Sequence, residues 1–230
     1  MTLQRYATTA EVAHGAMPAQ AGAAPGTASG GPAPVVRDLR ARSGHGPRGL
    51  YFAAGDVVVV SGLPGSGKST LIRRAVTAAH AVDSQDTRDR WARSMPRLLP
   101  YALYRPLVRV AHYWGLRRVL RSGESVVVHD CGTQAWVRAW LGRDVRRRGG
   151  ALHLVLLDVT PRIAREGQRE RGRGVSGYAF ARHRRAVGRL LKAVDEGLLP
   201  SGCASAVLLD REAAGRLGRI AFGDERLGAG

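Results

Sequence analysis

Gly62, Leu63, Pro64, Gly65, Ser66, Gly67, Lys68, Ser69 and Thr70 gather three glycines, one lysine and three hydroxyls into one short stretch. Its spacing is G-x-x-x-x-G-K-[ST], and the chemistry this serves is anion binding. Glycines let the backbone turn tightly enough for successive N–H groups to face phosphate oxygens. A helix starting there adds the positive end of its dipole. In such a cradle Lys68 reaches the β- and γ-phosphates and the Ser69 hydroxyl ligates Mg²⁺. Gly62 to Thr70 are therefore the expected contacts of a nucleoside triphosphate. Lysine is rare here: only Lys68 and Lys192 occur, against many arginines. This position keeps the compact ammonium that a phosphate cradle requires. Lys192 lies in Leu191-Lys192-Ala193-Val194, so the N-K-x-D guanine reader is missing, and ATP rather than GTP is the expected cofactor together with Mg²⁺.

These residues need elements to hold them. Val57 to Val60 suit a strand buried on both faces. Leu71, Ile72, Ala75, Val76 and Ala79 recur at helical spacing, predicting a helix to about His80. Ala81-Val82 reads as a brief second strand ending in the acidic loop Asp83-Ser84-Gln85-Asp86-Thr87-Arg88. Residues 90–121 look helical, broken by Pro96, Pro100 and Pro106. In that stretch Leu103, Leu107, Val110 and Trp114 form an apolar stripe, with Arg105, Arg109, Arg117, Arg118 and Arg121 off it. Ser125 to Asp130 is a third strand. Trp136, Val137, Trp140, Leu141 and Val145 mark an amphipathic helix that stops at Arg146-Arg147-Arg148-Gly149-Gly150, where cations and a glycine cap suit a C-terminus.

Leu152 to Leu157 is a fourth strand closing on Asp158, which reads as a helix cap. Thr160-Pro161 opens a basic helix running to Gly172. Phe180, Val187, Leu190, Leu191, Val194 and Leu198 predict a long helix stopped by Pro200. Ala204 to Leu209 is a fifth strand, and Asp210 caps a last helix towards Phe222. Alternating strands and helices predict an α/β, three-layer fold with a five-stranded, mostly parallel sheet covered on both faces. Ligands of such sheets bind at the carboxyl ends of the strands. There fall the glycine loop, Asp83 and Asp86, Asp130, Asp158 and Asp210. His129 reads as a structural histidine beside its strand end.

The chain of 230 residues suits one such domain, over 47–222, plus tails at 1–46 and 223–230. The first tail is rich in Ala, Gly and Pro and is expected to be disordered, although Val35 to Arg42 suit a local turn of helix. The net charge is +18, but the arginines are scattered, and the codon usage of a GC-rich genome accounts for most of them. Nucleic acid is thus a partner left open and not favoured. Cys131 and Cys203 stand far apart, which predicts a reducing, cytoplasmic setting without disulfide or zinc site. No apolar run approaches the ~20 residues that span a bilayer, so no membrane partner is expected.

Three segments beyond the loop carry a resemblance. Ser125 to Gln134 resembles the third-strand segment of adenylate-kinase-like enzymes. Leu156-Leu157-Asp158-Val159-Thr160-Pro161, followed by Arg162, Arg165, Arg169, Arg171 and Arg173, resembles their fourth strand and arginine-bearing lid. Asp83 to Arg88 is similar to the acidic loop of polynucleotide-kinase-, gluconate-kinase- and zeta-toxin-like proteins. Over about residues 55–222 the chain resembles small bacterial P-loop kinase-like proteins of the AAA family ATPase group.

The resemblance implies ATP- and Mg²⁺-dependent transfer of a γ-phosphate to a hydroxyl of a small-molecule or nucleic-acid acceptor. It gives Lys68 the transferring charge and sets Ser69 and Asp130 on Mg²⁺. It makes Asp83 or Asp86 the general base, and Arg169 and Arg173 the arginines of a lid over 162–178, hinged by Gly167, Gly172 and Gly174. The helical insertion 90–121 would cover the acceptor. The alternative is an ATP-binding, ATP-hydrolysing regulatory module with no phosphate acceptor.

Overall fold

The computed structural model describes residues 35–41, 46–77, 81–82, 111, 113–129, 133–172 and 174–223. Its strands are β1 (Val35–Asp38), β2 (Gly49–Phe52), β3 (Val57–Gly62), β4 (Ala81–Val82), β5 (Val126–His129), β6 (Leu152–Leu157), β7 (Ser205–Leu209) and β8 (Arg219–Phe222). Its helices are α1 (Lys68–Ala75), α2 (residues 113–121), α3 (Ala135–Arg147), α4 (Pro161–Arg169), α5 (Gly177–Asp195) and α6 (Arg211–Arg216).

The main sheet runs β1-β7-β6-β3-β5-β4, and every pairing in it is parallel. The valine run explains why β3 lies near its middle. Val57 and Val59 point into one core with Leu116, Leu120, Val137, Leu141, Val187 and Leu190, under α2, α3 and α5. Val58 and Val60 point into the other with Leu71, Ile72, Ala213 and Leu217, under α1 and α6. A period of two thus loads both faces, and each wholly buried valine contributes roughly 1.5–3 kcal/mol. The chain leaves β3 for β4 and β5 on one side, then crosses to β6 and β7 on the other. The carboxyl end of β3 is therefore the topological switch point, where such sheets open a crevice.

The five predicted strands are all present, and the sheet carries a sixth. Val35–Asp38, expected as a helical turn within a tail, instead pairs with Ser205 to Leu208. Its anchor is Arg40, which bonds Asp38, Asp158 and Asp195, at 2.7 Å from Asp158 Oδ2. Asp158 is consequently an ion-pair partner and not a helix cap; Thr160 caps α4 by accepting from Ile163 N. The last predicted helix also needs correction. It ends at Arg216, and Arg219–Phe222 becomes β8, paired with β2 in a second, two-stranded sheet. Asp210 does cap α6, accepting from Ala213 N at 2.7 Å.

At the amino end of β3, Asp56 is buried and accepts from Ala151 N at 2.7 Å, Ala53 N at 2.9 Å and His153 Nε2 at 2.9 Å. A carboxylate can only accept, so Nε2 carries a proton, and Nδ1 shares a 2.7 Å hydrogen bond with Ser205 Oγ. Burial pushes the Asp56 carboxyl up, but the His153 and backbone hydrogen bonds outweigh it and hold the group below the usual carboxylate range. Among the described residues no helix is long and apolar enough to cross a membrane.

Candidate phosphate-binding site

The glycine loop joins β3 to α1, with Lys68 as the first helical residue. Gly67 stands before it with φ 96°, a left-handed conformation that L side chains rarely adopt. Gly65, with φ 87°, is required twice over, because a Cβ there would meet Ala164 O at 2.0 Å. Lys68 is only 5% exposed, and its ammonium donates to Gly62 O at 3.0 Å and Leu63 O at 2.8 Å. Ser69 Oγ lies 3.3 Å from His129 Nε2, which ends β5 beside Val60. His129 thus sits next to the hydroxyl expected to ligate Mg²⁺. The hydroxyls of Ser61 and Ser66 are buried without a hydrogen-bond partner at this end of β3. Unsatisfied buried hydroxyls are uncommon, and together with a glycine cradle they suit polar ligand oxygens.

Helix α4 and the turn that follows it cover the loop through Ala164, Gly167 and Gln168 on the helix and Arg171 in the turn. A Cβ on Gly167 would come within 2.6 Å of Gly65 O, so the two backbones touch. Gly167 is therefore a close-packing residue and not a hinge. Gln168 is buried, donates from Nε2 to Pro64 O at 3.0 Å and accepts at Oε1 from Val175 N at 3.0 Å. Arg171 Nη2 donates to Thr70 Oγ1 at 3.2 Å. Gln168 was missed in the sequence and Arg171 was not among the residues assigned to the site. Their signal was the spacing 164, 167, 168, 171, which sets small and polar residues on one helical face. Gly172, with φ 60°, ends this cover.

Arg169 shares a different hollow, of ≈ 360 Å³, with Arg165, Gln168, Val175 and Phe180, where Arg165 stacks 4.9 Å above the Phe180 ring. A second hollow, of ≈ 240 Å³, opens beside the loop and is lined by Thr70, Arg74, Leu157, Ile163, Arg171 and Arg211 among others. Asp83, Asp86, Asp130 and Arg173, like most of the insertion 90–121, lie outside the described residues. Among the described residues no cluster of three or more His, Cys, Asp or Glu could hold a metal ion.

Residues 57–196, well over half the chain, match the family described as an AAA domain. The chain belongs to that family. The match opens at β3 and closes just past α5, so it takes in the glycine loop, the described part of the insertion and α4. Three solved structures are similar to this AAA-domain chain, each at 14% identity. One comes from the PezAT chromosomal toxin–antitoxin system of Streptococcus pneumoniae, with TM-score 0.48 and 68% of each chain covered. The tunicamycin resistance protein of Deinococcus radiodurans gives TM-score 0.35, covering 61% of this chain and 79% of that one. A Chloroflexus aurantiacus chain with a provisional kinase description gives 0.48, covering 67% and 84%. No curated protein sequence matches. The AAA domain is thus built as the three-layer α/β fold of P-loop NTPases, with the glycine loop at the carboxyl end of β3.

Proposed function

We propose that this protein is an ATP- and Mg²⁺-dependent phosphotransferase that moves the γ-phosphate to a hydroxyl of a small molecule or a nucleic-acid end. The observation that carries the reading is the glycine loop itself. It sits at the switch point of the sheet, with Lys68 buried at its base and a basic helix packed onto it.

In this reading the N–H groups of Gly65 to Thr70 cradle the phosphates, with Gly65 and Gly67 giving the curvature. Lys68 bears on the β- and γ-phosphates. The hollow lined by Thr70, Arg74, Ile163, Arg171 and Arg211 is the place for the nucleoside. Ser69 and Asp130 hold the metal, one hydroxyl and one acid, which suits a cation that keeps its waters and takes substrate phosphates. When bound, Mg²⁺ supplies charge neutralisation for the transferring group. Asp83 or Asp86 accepts the proton of the acceptor hydroxyl. Arg169 and Arg173, in the stretch after α4 begins, supply positive charge to the phosphoryl group, and water is kept out by the insertion 90–121.

The test is phosphate flow. With γ-labelled ATP and a panel of hydroxyl-bearing metabolites and oligonucleotides, label should pass to one acceptor, and Lys68→Ala should lower that rate roughly 10³-fold. Transfer that survives Lys68→Ala would sink the reading. Label that reaches only water, slowly and with every acceptor, would favour a regulatory module driven by ATP hydrolysis, the other reading that the AAA domain supports.

A further inference from the structure

On the side of the sheet away from α1, helices α2 and α3 leave an open cleft of ≈ 510 Å³ between them. It is lined by Tyr113, Trp114, Arg117, Trp136, Trp140 and Arg143. Three of the four tryptophans in the chain meet there, in a protein only 6% aromatic. Packing explains part of the cluster. The Tyr113 ring stands edge-on to Trp136 at 5.4 Å and to Trp140 at 6.3 Å, and Trp140 rests on the core. Packing does not explain the remainder. The core-facing residues of these helices are Leu116, Leu120, Val137, Leu141 and Val145, whereas Trp114 is 75% and Trp136 58% exposed. Trp114, expected on an apolar stripe, is thus not what the helix buries.

Two large indole faces turned to solvent are costly unless something covers them. The chemistry of the lining narrows what that is. Arg117 and Arg143 flank the rings, and none of the described lining residues is a carboxylate. A planar, π-faced ligand carrying negative charge matches both features at once. Among the described residues the lining holds no buried array of donors and acceptors that would read the edge of one base, and the cleft is open to solvent. Such a surface stacks bases without selecting among them.

We infer that this cleft binds single-stranded nucleic acid, with successive bases stacked on Trp114 and Trp136 and with Arg117 and Arg143 on the flanking phosphates. The inference stands apart from the reading of the phosphate loop: among the described residues the cleft shares no lining residue with the hollow beside Thr70. It also rests on two particular arginines and not on the net charge of the chain.

The experiment is fluorescence anisotropy of a labelled oligothymidylate of about ten nucleotides with the full chain and no ATP. Trp114→Ala and Trp136→Ala should each weaken binding roughly tenfold. Both residues are exposed, so the fold should tolerate the changes, and circular dichroism checks that it does. The Arg117→Ala/Arg143→Ala double variant should reduce the slope of log K against log salt by about 1.4, two phosphates' worth. Binding unchanged by all these variants would overturn the inference. So would thymidine monophosphate competing as well as the strand, or a wild-type dimer that Trp136→Ala dissociates, since a second copy would then be the occupant. Because no triphosphate is present, none of these outcomes bears on phosphoryl transfer.

Discussion

The two ends of β3 handle buried polar groups in opposite ways. At the amino end Asp56 collects Ala53 N, Ala151 N and His153, and His153 in turn takes the Ser205 hydroxyl. Every partner is protein, and the network is closed. At the carboxyl end, Ser61 and Ser66 keep buried hydroxyls with no partner, and the backbone bends through left-handed glycines. One strand thus has an end built for stability and an end whose polar groups suit a ligand. Satisfied buried networks rigidify a fold, whereas unsatisfied ones mark places where a protein spends stability on something else.

That contrast can be broken by substitution, and the largest effect belongs to the carboxyl end. Lys68→Arg keeps the charge but replaces a compact ammonium that fits between Gly62 O and Leu63 O with a planar fork. Phosphoryl transfer should fall roughly 10³-fold while the urea midpoint barely moves; an active Lys68→Arg protein would remove the distinction. Gly65→Ala comes next. Its Cβ would lie 2.0 Å from Ala164 O, on a backbone with φ +87°, so loop and cover must separate. A cost of about 3 kcal/mol, together with weakened ATP binding by calorimetry, is the expected outcome.

The amino end should show the reverse pattern. Asp56→Asn leaves a donor facing Ala53 N, Ala151 N or His153 and should cost about 2 kcal/mol with ATP affinity unchanged. The pH dependence sharpens the point. Because the Asp56 carboxyl is held below its unfolded value of about 3.9, its contribution is full above that value and is lost as the pH falls through the folded one. Asp210, also held low once its backbone hydrogen bonds outweigh burial, behaves likewise. Denaturation midpoints across acid pH should therefore show wild type and Asp56→Asn converging as the pH drops below about 4. A gap that stayed constant would mean that the carboxylate is not the source. The smallest effect is expected of Gln168→Ala, which removes the tie from α4 to Pro64: about 1 kcal/mol of stability and a few-fold loss of ATP affinity.

Legibility in the sequence followed the same division. The glycine loop was readable because its chemistry allows few residue types at each position. The five core strands were readable because runs such as Val57 to Val60 are too apolar to be anything but buried. What could not be read were contacts between distant segments. Nothing near Val35 announces that Ser205 lies beside it, and a helical turn was an equally good local reading of Val35 to Arg42. Arg219–Phe222 fails as a helix only because Gly49–Phe52 offers it a partner. Arg171 and Gln168 were hidden for another reason: in so arginine-rich a stretch, only the small face formed by Ala164 and Gly167 marks which side meets the loop. The indole of Trp114 was misread because a helical stripe tells which residues align, not which way they face.

The edge strand β1 has a consequence for the order in which this chain assembles. Ala41 N donates to Asp210 Oδ2 across 169 residues of sequence, and β1 and β2 pair respectively with β7 and β8. During synthesis both N-terminal strands must wait, unpaired, until almost the whole domain has left the ribosome, a long-range closure of the slow kind. Their docking cannot precede the emergence of β7 and β8. Until then the edge that β1 will take on β7 stays unpaired, the kind of exposed strand edge that chaperones protect.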